Sequence, residues 1–301
     1  MNKKVVIIVA SVLLVTIAAV GVVVGLFMFK NKSYRVLKIF EYEGTAAVVR
    51  ESIGEIEPYI NMILESGDKV SLERGTLVLK ADEDKFIHLE NGTSIVINAS
   101  GTAENSKTTI ELLNGAITND VQNKLTDESS YEIHTPNSTM SVRGTVFRVW
   151  MWEENGIKYT KISVFDGEVV SKLVYSDGTV SDDEVSIAKG KEVVIYEDGT
   201  TTDYLTDTTD IIYEDLPSGV VELLIDVVDD GRTLVPTKKE LEAILEKKIT
   251  ITYMYNGQVF GVKEATKGDV LVRPALTPTQ SGDWNWNFQD RAEEDMVIEW
   301  N

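Results

Sequence analysis

Six Asn-Gly or Asp-Gly dipeptides punctuate residues 91–199: Asn91-Gly92, Asn114-Gly115, Asn155-Gly156, Asp166-Gly167, Asp177-Gly178 and Asp198-Gly199. Each supplies residues that tolerate positive φ, which tight hairpin turns demand. Between them lie short runs of alternating apolar and polar residues, rich in Val, Ile and Thr, the period of half-buried strands. Candidate strands are Val70–Leu72, Leu77–Lys80, Phe86–Leu89, Ser94–Asn98, Thr108–Leu113, Tyr131–Thr135, Met140–Val142, Val146–Met151, Tyr159–Phe165, Glu168–Tyr175 and Glu192–Tyr196. Residues 34–202 are therefore expected to form an antiparallel β domain, a sandwich, roll or solenoid. Glu55–Glu65 is the exception and reads as one or two helical turns.

The period changes after residue 203. Pro217 followed by Val220, Leu223, Leu224, Val227 and Val228 has helical spacing and stops at Gly231. A second helix is predicted over Thr237–Lys248. It opens with the capping box Thr237-x-x-Glu240 and ends with Lys247-Lys248 on the negative end of its dipole. Residues 203–248 thus form a linker with two short helices. The β pattern returns over 249–301, beginning with a hairpin turned by Asn256-Gly257.

Upstream of all this, Val5–Phe29 contains no charged residue, and only Met1-Asn2-Lys3-Lys4 precede it. A helix of that length, at ~1.5 Å per residue, exceeds the ~30 Å hydrocarbon core of a bilayer. Residues 5–29 are read as a transmembrane signal anchor and 1–4 as a cytoplasmic stub. Bulky residues close the run at Leu26-Phe27-Met28-Phe29 and no Ala-x-Ala follows, so the anchor is expected to stay uncleaved. Lys30, Lys32, Arg35 and Lys38 follow the run and leave the positive-inside rule ambiguous. The signal-like layout, the absence of Cys and the acidic tail together favour a single-pass plasma-membrane protein with its C-terminal domains outside. Gly21 and Gly25 make a Gly-x-x-x-Gly through which the span could pair with itself or a partner.

Composition narrows the function. All 49 Asp and Glu follow the apolar run. Such a surface repels phosphate backbones, so nucleic acid is not an expected partner. With no Cys there is no thiol nucleophile or thiolate metal site. The two histidines, His88 and His134, each sit in a predicted strand and are read as structural, though a pair meeting across a sheet would form a weak metal site. No Gly-rich phosphate loop, Gly-x-Ser-x-Gly or His-Glu-x-x-His occurs. Asp182-Asp183-Glu184 and Glu293-Glu294-Asp295 read as solvated turns. No enzymatic activity, cofactor or metal is expected. Binding is the remaining class. Candidate binding residues are Trp284 and Trp286, which share a strand face opposite the polar Asn285 and Asn287, with Arg143 and Arg148. Trp150 and Trp152 also share a face and are assigned to the core.

Two stretches resemble known families. The run Thr135-Pro-Asn-Ser-Thr-Met-Ser-Val-Arg-Gly-Thr-Val-Phe-Arg-Val149 resembles the core of the FecR domain, with its Gly-Thr-x-Phe-x-Val step at Gly144, Thr145 and Phe147. Ile162–Val169, containing Gly167, resembles that family's strand return, and Ala188-Lys-Gly190-Lys-Glu-Val-Val its closing strand. The resemblance spans about Glu65 to Val194. Known members relay signals across a membrane, sensing outside and controlling a sigma factor through a cytoplasmic segment. The four-residue stub offers no such segment, so the resemblance implies an exterior protein- or ligand-binding β module. Residues 249–301 resemble the internalin B-repeat (Listeria–Bacteroides repeat), through Ile251–Tyr255, Lys267-Gly268-Asp269, Pro274–Pro278, Trp284-x-Trp286 and Trp300. That family implies a small β-grasp-like module of exported surface proteins. The expected partner is an envelope protein or a cell-wall polymer.

Overall fold

The computed structural model describes residues 37–102, 105–142, 144–196, 207–275, 277–279 and 281–301. The expected stub and span, residues 1–29, lie outside the described residues, and so does Arg143. Among the described residues no helix is long and apolar enough to cross a membrane.

The fold is mainly β. Fourteen strands form the larger body: β1 (Leu37–Arg50), β2 (Gly54–Ile56), β3 (Asp68–Ala81), β4 (Lys85–Leu89), β5 (Thr93–Gly101), β6 (Ser106–Val121), β7 (Ser130–Thr135), β8 (Ser138–Val142), β9 (Val146–Glu154), β10 (Ile157–Asp166), β11 (Glu168–Val174), β12 (Val180–Ala188), β13 (Lys191–Tyr196) and β14 (Thr209–Asp210). Strands β1, β3 and β6 are long enough to serve two sheets. The first half of β3 pairs with β5 and its second half with β4. The first half of β6 pairs with β5 and β7, its second half with β4 and β9. One sheet therefore continues through β7, β8, β11 and β12, and the other through β9, β10, β13 and β14. Their facing sides share one core, with Ile95, Ile133 and Val169 from the first sheet and Ile87, Val149 and Ile162 from the second.

The bends explain why the sequence under-reports strand length. Gly44 of β1 and Gly75 of β3 are cross-strand partners with φ of 109° and 113°. A Cβ on either would strike the other strand's backbone, so the corner is built from two facing glycines. Val70–Leu72 and Leu77–Lys80, predicted as two strands, are the two arms of β3. Asn114-Gly115, predicted as a turn, is the bend in β6. Asn155-Gly156 does turn the β9–β10 hairpin, with φ of 52° and 79°. Glu55–Glu65 forms no helix; it holds β2 and a turn in which the Met62 N–H donates to the Tyr59 carbonyl. Asp182-Asp183-Glu184, read as a turn, lies within β12 at the sheet edge, where exposed charge discourages pairing with another chain.

A 3₁₀ turn at Tyr213–Asp215 leads to α1 (Ser218–Asp229) and α2 (Lys238–Leu245). The capping box is formed: Thr237 Oγ1 accepts from the Glu240 N–H, and Glu240 accepts from the Thr237 N–H. The helices bury Val221, Leu224, Val227 and Leu241 against Val146 and Phe165 on the outer side of the second sheet. The remaining residues form a mixed three-stranded sheet of β15 (Lys248–Tyr255), β16 (Gln258–Thr266) and β19 (Met296–Glu299), in which β15 and β19 run parallel. A small pair, β17 (Asp269–Val270) and β18 (Arg291–Ala292), completes it.

Candidate functional site

The residues of the Gly-Thr-x-Phe step stand where the chain changes sheets. Gly144 (φ 65°) and Thr145 carry it from β8 in the first sheet to β9 in the second, and Gly167 (φ 83°) returns it from β10 to β11. The two crossovers touch: a Cβ on Gly167 would lie 2.8 Å from the Gly144 carbonyl oxygen. Thr145 Oγ1 donates to the Glu168 carbonyl at 3.1 Å and Val121 N–H to the Thr145 carbonyl at 3.0 Å, locking them together. Phe147 is fully buried in the shared core. The Gly190 N–H donates to the Val164 carbonyl, its own carbonyl accepts from Ile211, and Val235 packs over it. These five positions build the scaffold.

Register places His88, Thr118, Arg148, Ser163 and Glu192 in one row across β4, β6, β9, β10 and β13. Arg148, a candidate binding residue, is only 7% exposed. Its Nε and Nη2 donate to the two carboxylate oxygens of Glu90 at 2.6 and 2.8 Å, a bidentate pair that occupies the guanidinium fork. Its guanidinium also lies 5.4 Å from the Trp150 ring centre.

From Trp150 a ladder of rings crosses the sheet. Trp150 and Trp152 stack at 4.4 Å, Trp152 and Tyr159 at 5.1 Å, and Tyr159 and Tyr196 approach at 5.3 Å. Strand alternation puts these side chains outside, away from the core, so the assignment of Trp150 and Trp152 to the core is corrected. Trp150 is 38% exposed and the other three are half-buried. Because the rings stack on one another, with Arg148 at one end, they present edges to solvent. The i, i+2 spacing of Trp150 and Trp152 was the available sequence signal. Tyr159 and Tyr196 join only through the cross-strand register.

Beside the ladder a cleft of about 570 Å³ opens between the second sheet, α1 and the C-terminal module, with Arg74, His88, Thr118, Glu222, Asp290 and Arg291 among its walls. Its charges are paired: Arg74 Nε to Asp290 at 2.7 Å and Arg291 Nη1 to Glu222 at 2.6 Å. Glu293 accepts from the Ser218 N–H at 2.9 Å and from its hydroxyl at 2.7 Å, capping α1 from another module. Removal from water pushes the His88 imidazole down to about 4, so it is neutral near pH 7. The neighbouring Thr118 hydroxyl is buried and has no hydrogen-bond partner, so no acid–base relay links the two. His134 lies in β7 of the other sheet and bonds Glu132 at 3.2 Å, so the histidines do not meet. Among the described residues no group of three His, Asp or Glu side chains could hold a metal.

The Trp284–Trp286 pair, named as a candidate binding face, is turned towards the module's own core. Trp284 is 4% exposed, with Tyr253 and Trp300 each 5.1 Å away edge-on. Trp286 is half-buried against the same cluster. Leu271 and Ala292 share with Trp284 the apolar cluster that packs on Ile249, Ile251 and Ile298 of the three-stranded sheet. Lys267 is also structural, donating to the Glu214 carbonyl at 2.6 Å.

These features define a two-sheet β scaffold with a half-exposed aromatic strip. Residues 73–170 match the family model described as FecR protein, so a FecR domain is present. No curated protein sequence matches the chain. Two crystal structures of candidate anti-sigma factors from Parabacteroides distasonis are similar to it. One is 14% identical, covering 59% of this chain and 87% of its own, with a TM-score of 0.38. The other is 11% identical, covering 79% and 96%, with a TM-score of 0.35.

Proposed function

We propose that this protein is a membrane-anchored FecR-type scaffold that holds its β modules outside the cell and docks an envelope protein or wall polymer. The observation that carries the binding role is the ring ladder Trp150–Trp152–Tyr159–Tyr196. A half-exposed strip of four aromatics on a rigid sheet is a large apolar surface with little rotamer freedom to lose on docking. The edge-on rings favour a protein over a polymer among these partners. The anchor reading rests on Val5–Phe29, and the B-repeat reading of residues 249–301 on Lys267-Gly268-Asp269, Trp284-x-Trp286 and Trp300. The test is a photo-crosslinking residue placed at Trp152 in cells of the native host, with Val180 on β12 as the control. An adduct from position 152 alone is expected; equal adducts from both, or none, would count against the ladder as the docking face.

The FecR match itself favours a second reading, an exterior sensor subunit that signals through a separate membrane partner. That reading needs specific pairing of the spans. Replacing Gly21 and Gly25 with Ile should then abolish copurification of the partner, and undiminished copurification would argue against it.

A further inference from the structure

The segment 57–64 carries its apolar side chains in an unusual place. Pro58, Met62 and Leu64 point inward, the last two at 4% exposure within the main core. Tyr59, Ile60 and Ile63 point outward and are 61%, 54% and 57% exposed. Tyr59 to Met62 is a turn, closed by the Met62 N–H on the Tyr59 carbonyl at 3.0 Å, with Asn61 at φ 68°. Turn tips ordinarily carry Gly, Asn, Asp or Ser; this one carries Tyr and Ile around its single Asn. A cluster of that kind on a rigid turn marks a contact surface rather than scattered exposure.

Its position names the contact. The turn is fastened to the start of β1: Asn61 N–H donates to the Ile39 carbonyl, Ile39 N–H to the Met62 carbonyl and Leu64 N–H to the Leu37 carbonyl, at 2.8, 3.0 and 2.9 Å. Leu37 lies two residues after Arg35, the last member of the basic stretch Lys30, Lys32 and Arg35, which directly follows the apolar run Val5–Phe29. Lys38 lies against the turn and its Nζ donates to Asn61 Oδ1 at 3.0 Å. Beyond it Lys80 sits over Phe40 and Phe86, at 5.7 and 5.2 Å from their centres. Glu57 is the one acid in segment 57–63. An aromatic and two aliphatic side chains beside lysines, next to the chain's entry from an apolar run, have the composition of a bilayer interface contact.

We infer that the Tyr59-Ile60–Ile63 turn, with Lys38, rests in the headgroup layer of the membrane and sets the orientation of the β scaffold on its surface. This rests on the reading of Val5–Phe29 as an anchor. The ladder on the outer side of the second sheet would then stand at a fixed angle to the bilayer, available to a partner in the same membrane or wall.

The absence of Cys from the sequence makes the test clean. The full-length chain, carrying Ile60→Cys or the control Val180→Cys, is labelled with a nitroxide and reconstituted in vesicles of phosphatidylethanolamine and phosphatidylglycerol. Flotation with the vesicles tests the anchor separately. Among floated chains, the label at 60 should be relaxed more by oxygen than by a water-soluble nickel chelate, and the label at 180 the reverse. If label 60 relaxes like label 180, or is shielded from both reagents as in a protein contact, the inference is overturned. A chain that fails to float removes the anchor reading and the inference with it.

Discussion

Gly167 and Gly178 share a backbone conformation, with φ of 83° and 84°, but not surroundings. A Cβ at 178 meets open space, while one at 167 meets the crossover at Gly144 and Thr145. Gly178→Ala should cost roughly 1–2 kcal/mol in urea unfolding, the price of left-handed backbone alone. Gly167→Ala should cost at least ~3 kcal/mol, because overlap with rigid backbone is added. Equal losses would mean that the contact between crossovers contributes nothing. His88 offers a pH signature. Its folded value of about 4 lies below the ordinary 6.5, so the unfolded chain takes up a proton that the folded chain refuses. Stability from this group is therefore full above pH 6.5 and lost as pH falls towards 4, by at most ~1.4 kcal/mol per unit. The Tm of His88→Gln should fall less than that of the parent across that window; parallel curves would contradict the assignment. The sequence made the glycines legible as positive-φ positions. It could not say which of them turn a hairpin, bend a strand or change sheets, because that depends on residues far away in the chain.

Among the elements, the ring ladder is both a surface and a cross-strand brace. Trp152 stacks on two neighbours, whereas Tyr196 ends the ladder. Trp152→Ala should thus lose roughly 1–2 kcal/mol and Tyr196→Ala less, by chemical denaturation; the opposite order would show that the stacking is incidental. Most strand cores were readable from alternation, as were α1, α2 and the Thr237–Glu240 box. Strand lengths were not, since Gly44, Gly75 and Gly115 look like breaks when each lies inside a continuous bent strand. The faces of the tryptophans were also beyond local sequence. An i, i+2 pair has one face, but which face is the core depends on the partner sheet. Trp150 and Trp152 fall outside and Trp284 inside for that reason.

At the scale of the whole molecule, the C-terminal module has its own apolar cluster and meets the rest through polar contacts. They include Arg74–Asp290, Arg291–Glu222, Ser218–Glu293 and Lys267 on the Glu214 carbonyl. Exposed ion pairs are screened by salt, whereas the buried sandwich core is not. Hydrogen exchange at β15 should therefore accelerate in high salt before exchange at β6 does; simultaneous acceleration would mean one cooperative unit. The proposed placement puts these β modules outside the cell on a retained anchor. The direct measurement is labelling of Val180→Cys, the sole cysteine in that variant, with a membrane-impermeant maleimide on intact cells. Labelling without lysis, on a product that still carries Val5–Phe29, is the predicted result. Labelling only after lysis would place the modules inside and overturn that placement.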